Sequence, residues 1–135
     1  MRILFLFLIL SFSIQSCSTL PTSQDAQEHK LTLEENKDGE YDIIVFDSDY
    51  NYYLNAIAYP IDYYSESYYK NKNTFLVNEW NYRHSQPMRF NPSIYEVSID
   101  YNPQINYGKT LEYKLFNFFR FMEWKHEIDL DRIRN

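Results

Sequence analysis

The stretch that decides the fold lies between Lys109 and Glu127 and reads KTLEYKLFNFFRFMEWKHE. It predicts a long helix, because apolar side chains recur at three- and four-residue steps and form one stripe. The members of that stripe are Leu111, Leu115, Phe118, Phe119 and Met122. Tyr113, Phe116 and Trp124 fall on a second face, around Asn117 and Arg120. A helix that is apolar on two sides is typical of the inside of a small domain or of a helix that covers a sheet.

Shorter patterns upstream predict the elements that pack against this helix. Tyr41–Phe46 is rich in β-branched and aromatic residues and predicts a strand. Asp47 or Ser48 is expected to cap a short helix that continues to about Ala56.

The middle of the chain predicts one more helix and one more strand. Ile61–His84 contains neither Gly nor Pro, so it predicts a second long helix, which ends before Pro87. Alternation over Ile94–Tyr101 then predicts a second strand. The expected fold is a small α+β domain in which two main helices pack with two or three short strands.

The first residues of the chain are typical of a secreted protein. Arg2 precedes an apolar run of about a dozen residues, which predicts a signal peptide over residues 1–16. A membrane-spanning helix needs roughly 20 apolar residues, so this run is too short to be one. Ile14-Gln15-Ser16-Cys17 resembles the lipobox of bacterial lipoproteins, and Cys17 is the only cysteine. We expect Cys17 to carry fatty acyl chains that bind the lipid bilayer; the alternative is a free cysteine in an ordinary cleaved leader.

The rest of the chain divides into a tether and a domain. Residues 17–40 are expected to form a lipidated flexible tether, because they are polar and lack a sustained period. A brief alternation at Leu31-Thr32-Leu33 predicts at most a weak pairing. Residues 41–135 are expected to form an aromatic-rich globular domain. The net charge of −6, without basic runs, argues against nucleic-acid binding.

The candidate site lies in Tyr68–His84, which reads YYKNKNTFLVNEWNYRH. On a helical wheel the aromatic residues gather on one broad face, whereas asparagines such as Asn73 gather on the other side, with Val77 as an exception. The predicted apolar face consists of Tyr68, Tyr69, Phe75, Leu76, Trp80 and Tyr82. Lys72, Glu79 and Arg83 lie near the middle of that face, where a simple amphipathic helix would carry leucine.

These charged residues have two interpretations. Glu79 and Arg83 are spaced i,i+4, so they can form a buried structural pair, with Lys72 extending along the tyrosines. Alternatively, the charges form the floor of a ligand groove that has Tyr and Trp walls. The candidates for this polar network or ligand groove are Lys72, Glu79, Arg83, Tyr69, Trp80 and Arg89.

Signals for metals, cofactors and catalysis are weak. Asp47, Asp49 and Asn51 fit the first half of a calcium loop, but Tyr52 stands where glycine is needed, so a helix N-cap is the preferred interpretation. The three histidines lack metal-ligand spacing, and a chain with two glycines contains no phosphate-binding loop. We expect no metal, no cofactor and no catalytic residue; a small hydrolase that uses Glu79 is an alternative.

The aromatic richness of the chain also has two explanations. The 14 tyrosines and 10 phenylalanines could stack on sugar rings, which predicts a glycan-binding protein. Alternatively, AT-rich codons favour these residues, and aromatic side chains supply most of the core of a small domain without disulfides.

Short motifs spread over the domain resemble a known family. They are Tyr63-Tyr64-Ser65, Tyr68-Tyr69, Asn71-Lys72-Asn73, Glu79-Trp80-Asn81 with Arg83, Pro87-Met88-Arg89-Phe90, Ile99-Asp100-Tyr101, Tyr107-Gly108 and Tyr113-Lys114-Leu115. In these motifs the chain resembles a family of small uncharacterised lipoproteins of the Bacteroidota. The resemblance implies a periplasm-facing or surface-exposed lipoprotein of unknown function.

The expected function is that of an anchored envelope protein. We expect an outer-membrane lipoprotein that faces the periplasm and acts as a non-enzymatic binding or assembly module for an envelope protein or glycan. A glycan-binding accessory protein that uses Tyr69 and Trp80 is the alternative.

Overall fold

The computed structural model describes residues 31–35 and 40–131, which form two strands and three helices. In chain order these are β1 (Leu31–Glu35), β2 (Tyr41–Val45), α1 (Ser48–Ala56), α2 (Glu66–His84) and α3 (Lys109–His126). The predicted α+β class is confirmed. No helix in the described ranges is both long and apolar enough to cross a membrane. The predicted signal peptide, Cys17 and the part of the predicted tether before residue 31 lie outside the described residues.

The two strands form an antiparallel hairpin. Their register places Leu33 opposite Ile43 and Glu35 opposite Tyr41. Ile43 is buried, and Leu33 and Tyr41 pack against the core around it. The strand predicted from Tyr41 is confirmed, although it ends at Val45. Its partner β1 lies within the segment predicted as tether, so this part of the segment pairs with the domain.

The short helix α1 begins at the predicted cap. The Asp47 side chain accepts a hydrogen bond from the Asp49 backbone N–H at 3.0 Å, which satisfies one of the free donors at the helix start. Tyr50 and Tyr53 are buried, and their rings lie 5.5 and 5.7 Å from the ring of Phe121 in α3. Edge-to-face contacts of this kind attach α1 to α3.

The helix α2 begins later than predicted. It starts at Glu66 instead of Ile61, because Ser65 provides the N-cap: its hydroxyl accepts a hydrogen bond from the Tyr68 backbone N–H at 3.2 Å. The residues before Ser65 form turns instead of a first helical turn. The end of the helix at His84 agrees with the prediction.

The buried face of α2 also differs from the predicted one. Leu76 and Trp80 are fully buried as expected, but Asn73 and Val77, which the wheel placed on the polar side, are buried as well. Phe75, which the wheel placed on the apolar face, is 42% exposed. The physical reason for the burial of Asn73 is that its Nδ2 donates to a carboxylate of α3, so its amide nitrogen is satisfied inside the core.

The helix α3 occupies the centre of the domain. All members of its predicted stripe are 1% exposed or less. On its second face, Tyr113 and Phe116 are half-buried, whereas Trp124 is 49% exposed. Gly108 precedes the helix at φ 81°, a left-handed conformation that glycine adopts without strain. The helix contacts β2, α1 and α2.

The strand predicted at Ile94–Tyr101 does not form. Side chains there alternate between buried and exposed, but the backbone binds side chains of α2 instead of another strand. The Trp80 indole N–H donates to the Val97 carbonyl at 2.8 Å, and the Asn81 amide donates to the Ile99 carbonyl at 2.8 Å. The alternation therefore indicates a segment with one buried side. This segment shares that property with a strand, although it does not pair as one.

Candidate functional site

Two of the predicted site residues, Glu79 and Arg83, form a buried ion pair. They lie one turn apart in α2, and Arg83 Nε donates a hydrogen bond to Glu79 Oε1 at 2.7 Å. Arg83 Nη1 donates to the Tyr95 hydroxyl at 2.8 Å, and Nη2 donates to the Asp129 backbone carbonyl at 2.6 Å. These four residues are termed the Arg83 cluster. The cluster ties α2 to the loop that follows it and to the C-terminal segment.

The surroundings of Arg83 keep its guanidinium charged. Burial alone would lower the pKa of Arg83, but its hydrogen bonds to Tyr95 and Glu79 outweigh burial and raise the pKa above the ordinary value. The guanidinium carbon also lies 5.2 Å from the ring centre of Phe90 and 5.7 Å from that of Tyr95, within the range of cation–π attraction. The cluster therefore has the properties of a structural network.

The other four predicted site residues do not join this pair. Lys72 is partly exposed, and its Nζ lies 3.5 Å from Asp131 Oδ1. Trp80 has no exposed surface, and Tyr69 is 1% exposed. Arg89 is exposed, and its guanidinium contacts the Tyr82 hydroxyl. Since the Trp80 indole is fully enclosed, it is not available to stack on a ligand.

An aromatic cavity lies elsewhere, between the end of α1, the start of α2 and α3. It has a volume of about 380 Å³. Its lining residues are Tyr53, Ile57, Ala58, Tyr59, Tyr64, Tyr68, Tyr69, Phe116, Asn117 and Arg120. We name it the tyrosine pocket. A concave site with aromatic walls and few polar groups is the usual form of a small-ligand site.

The rim of this pocket consists of stacked tyrosines: Tyr59, Tyr64 and Tyr68 line the cavity, and Tyr63 packs on Tyr59 and Tyr64 without lining it. The ring centres of Tyr59 and Tyr63 lie 4.3 Å apart at an angle of 14°, and those of Tyr64 and Tyr68 lie 4.1 Å apart at 17°. A turn in which the Tyr63 N–H binds the Pro60 carbonyl at 2.9 Å positions the first pair. Tyr59 is 60% exposed and Tyr63 is 55% exposed. The rim therefore presents aromatic surface to solvent.

Arg120 is the charged residue of the tyrosine pocket. Its Nη1 lies 2.8 Å from Asp131 Oδ2 and 3.0 Å from Glu123 Oε2, and its guanidinium carbon lies 5.3 Å from the ring centre of Phe116. Nε and Nη2 are buried and have no acceptor among the described residues. A buried donor without an acceptor costs about 1–3 kcal/mol. Arg120 therefore retains hydrogen-bonding capacity for an added acceptor.

A further buried carboxylate, Glu112, joins α3 to α2 and to the loop between them. It is 1% exposed, and it accepts hydrogen bonds from Asn73 Nδ2 at 2.7 Å and from the Tyr101 hydroxyl at 3.0 Å. Burial raises the pKa of Glu112, and the hydrogen bonds from Asn73 and Tyr101 offset part of that effect. Glu112 does not line the tyrosine pocket.

Sequence reasoning missed the rim of the tyrosine pocket. The predicted helix from Ile61 leaves no room for the turn closed by the Tyr63 N–H and the Pro60 carbonyl, which is what places Tyr63 on Tyr59. One signal for the correct boundary was present, because Ser65 is a favourable N-cap residue that places both tyrosines before the helix.

Asp47 and Asp49, the carboxylates that fit the first half of a calcium loop, form ion pairs with a lysine. Lys125 Nζ lies 2.8 Å from Asp47 Oδ2 and 3.0 Å from Asp49 Oδ2, and Asp47 also caps α1. Within residues 31–35 and 40–131, no group of three or more His, Cys, Asp or Glu side chains is placed to hold a metal ion. His84 Nδ1 lies 2.7 Å from the Tyr95 carbonyl oxygen.

Comparisons with known proteins identify a family without a known activity. Searches of curated proteins and of solved structures found no match. A family model described as a family of unknown function, DUF6146, matches residues 4–135. This match agrees with the resemblance to an uncharacterised domain, and it covers nearly the whole chain. The chain therefore belongs to the family of unknown function DUF6146.

Proposed function

We propose that the protein is a lipid-anchored lipoprotein of the cell envelope and that its domain is a non-enzymatic binding module. The binding site in this proposal is the tyrosine pocket. One observation carries it: two exposed, stacked tyrosines, Tyr59 and Tyr63, lie at the rim of a cavity whose Arg120 has buried donors without acceptors. Exposed aromatic surface beside spare polar groups is typical of ligand sites.

The anchor in this proposal is Cys17. Each buried CH₂ of an acyl chain contributes about 0.8 kcal/mol, so two or more chains give stable attachment to a bilayer. The residues directly after Cys17 read STLPTS and contain no acidic run. On this basis we propose the periplasmic face of the outer membrane as the location.

A neutral glycan is the ligand class that we propose for the pocket. Tyrosine rings stack on the flat faces of sugar rings, and their hydroxyls hydrogen-bond sugar oxygens. The charge of Arg120 is already balanced by Glu123 and Asp131, so an anionic ligand would gain little from it. The remaining donors of Arg120 suit a neutral oxygen, such as a hydroxyl or an amide carbonyl.

A hydrolase has less support from the same geometry. Glu79 is 5% exposed and is bound to Arg83. Asp62 is largely solvated and pairs with Lys109 at 2.6 Å. Neither carboxylate lines the tyrosine pocket, so neither is placed to act on a ligand that the pocket holds.

Titration of the detergent-solubilised lipoprotein with neutral and acidic envelope polysaccharides tests the binding proposal. We expect saturable binding of a neutral glycan, and an affinity about three- to tenfold lower for Tyr59→Ala because one stacking surface is lost. Tyr52→Ala is the matched control, since Tyr52 is 62% exposed and does not line the pocket. Equal losses in both variants, or no saturable binding, would contradict the proposal.

The anchor is tested separately by fractionation and mass spectrometry. We expect an acylated cysteine at the processed N-terminus, and release of Cys17→Ser from the membrane fraction. A membrane-bound Cys17→Ser protein would show that a different feature attaches the chain.

A further inference from the structure

A second cavity, which the proposed function does not use, lies between the hairpin and the segment Glu96–Asp100. Its volume is about 700 Å³. Leu33 and Glu35 of β1 and Tyr41 of β2 line one side, and Glu96–Asp100 lines the other. The cavity shares no lining residue with the tyrosine pocket. It is termed the acidic groove.

The acidic groove combines carboxylates with an apolar lining. Glu35, Glu96 and Asp100 line it together with His84, and none of its lining residues is a lysine or arginine. The apolar and aromatic part of the lining consists of Leu33, Val97, Ile99, Ile105, Tyr41 and Tyr107. Lysine and arginine side chains have the complementary composition, since each carries an alkyl stem that packs on apolar surface and a cationic end. The lining therefore favours a cationic ligand that has apolar parts.

The backbone along one wall is also available to a partner. The carbonyls of Val97 and Ile99 are bound by side chains of α2. Ser98 and Asp100 are exposed and make no hydrogen bond with any described residue. Residues 98–101 contain no turn or bend, and both backbone groups of Ile99 bind the Asn81 side chain. Since the backbone groups of successive residues in such a segment point to opposite sides, those of Ser98 and Asp100 are directed away from α2. Unpaired backbone of this kind is where an extended peptide can add as a strand.

We propose that the acidic groove binds a basic segment of a partner protein in an extended conformation. Cationic side chains of that segment contact Glu35 and Asp100, their stems pack on the apolar lining, and its main chain pairs with Ser98 and Asp100. This explains why residues 94–101 have the sequence pattern of a strand although no described strand pairs with them. The proposal is independent of the tyrosine pocket.

A short peptide of alternating lysine and valine is the probe, titrated into the detergent-solubilised lipoprotein by calorimetry. We expect it to bind, and the same peptide with acetylated lysines to bind much more weakly. Glu35→Lys should weaken binding by about three- to tenfold, because an attraction becomes a repulsion at a partly exposed site. Glu34→Lys is the matched control, because Glu34 directly precedes Glu35 in β1, carries the same charge and does not line the groove.

Equal losses in Glu34→Lys and Glu35→Lys would show that the peptide follows the net charge of −6 instead of the groove, and would overturn the proposal. Equal binding of the acetylated peptide would overturn it as well, and this comparison needs no variant that must fold. Amide resonances give a separate readout. We expect those of Ser98 and Asp100 to shift on binding, and unchanged resonances at both positions would exclude pairing along this wall.

Discussion

Two arginines in this domain lie beside aromatic rings but differ in how their donors are used. Arg83 donates in three directions, to Glu79, Tyr95 and the carbonyl of Asp129. Arg120 uses only Nη1, while its Nε and Nη2 are buried without acceptors among the described residues. Aromatic neighbours therefore do not distinguish a structural arginine from one at a ligand site. Unsatisfied donors are the better criterion.

The different use of donors by Arg83 and Arg120 predicts different effects of their replacement on stability. A buried ion pair whose guanidinium nitrogens each have an acceptor leaves an uncompensated charge when one partner is removed. An arginine with unpaired donors already carries part of that penalty in the folded state. We therefore expect changes at Arg83 to act on stability and changes at Arg120 to act on binding.

The largest expected effect is that of Arg83→Met. The buried Glu79 carboxylate would lose the Arg83 cation, and the hydrogen bonds of Arg83 to Tyr95 and Asp129 would be lost as well, so the free energy of unfolding should fall by about 3–5 kcal/mol. Urea denaturation measures this change. Arg89→Met is the control, because Arg89 is exposed and its replacement should change stability by no more than about 0.5 kcal/mol. Similar changes in the free energy of unfolding for both variants would contradict a structural role of the Arg83 cluster.

Replacement of each arginine by lysine tests separately how much its hydrogen bonds contribute to stability. Arg83→Lys should lower the free energy of unfolding by about 2 kcal/mol, since an ammonium group cannot reach three acceptors in a fixed plane. Arg120→Lys should change it by less than about 1 kcal/mol, because the unpaired donors disappear and the contacts with Asp131 and Glu123 can be kept. Urea denaturation measures both variants. A larger loss of stability for Arg120→Lys than for Arg83→Lys would contradict the assignment of Arg83 to a structural role.

Glu112 is a buried acid that has no cationic partner in hydrogen-bond contact within the described ranges. Burial raises the pKa of Glu112 above its ordinary value of 4.5, so the stability linked to its protonated form is present below pH 4.5 and is lost as the pH rises through the folded-state pKa. Glu112→Gln does not titrate. Its stability relative to wild type should therefore increase as the pH rises above 4.5.

Denaturation at several pH values checks this expectation. Glu123, whose pKa burial also raises, is present in both proteins, so its contribution cancels in the difference. Asp100→Asn is the control for the change of charge alone, since Asp100 is exposed and does not contact Glu112. A flat difference for Glu112→Gln would mean that Glu112 has the same pKa in the folded and unfolded chains.

The predictable parts of the fold are those in which local pattern and burial coincide. The α3 stripe was predictable because every member of its three- and four-residue pattern faces the core. The predicted strand at Ile94–Tyr101 failed because side chains of α2 bind the Val97 and Ile99 carbonyls on one side of the segment and no described strand pairs with its other side. Asn73 was placed on the wrong side because its partner, Glu112, lies 39 residues away in the sequence.

The candidate site was predictable only in part, for the same reason. The i,i+4 spacing of Glu79 and Arg83 is a local signal, and the pair forms. The acceptors that complete the Arg83 cluster come from distant residues, Tyr95 and Asp129, which no spacing rule connects to α2. The tyrosine pocket combines α1, α2 and α3, so its position depends on packing that the sequence pattern does not describe.

The smallest expected effect is that of Tyr63→Ala at the pocket rim. Tyr63 is 55% exposed and stacks on Tyr59, so its removal should lower the free energy of unfolding by less than about 1 kcal/mol. Tyr53 is a contrasting tyrosine, because it is 7% exposed and its truncation should cost about 3 kcal/mol or more. If Tyr63→Ala were as destabilising as Tyr53→Ala, the rim would be part of the core. The stacked pair would then be a structural feature like the rings around Arg83, and the tyrosine pocket would lose its assignment as a ligand site.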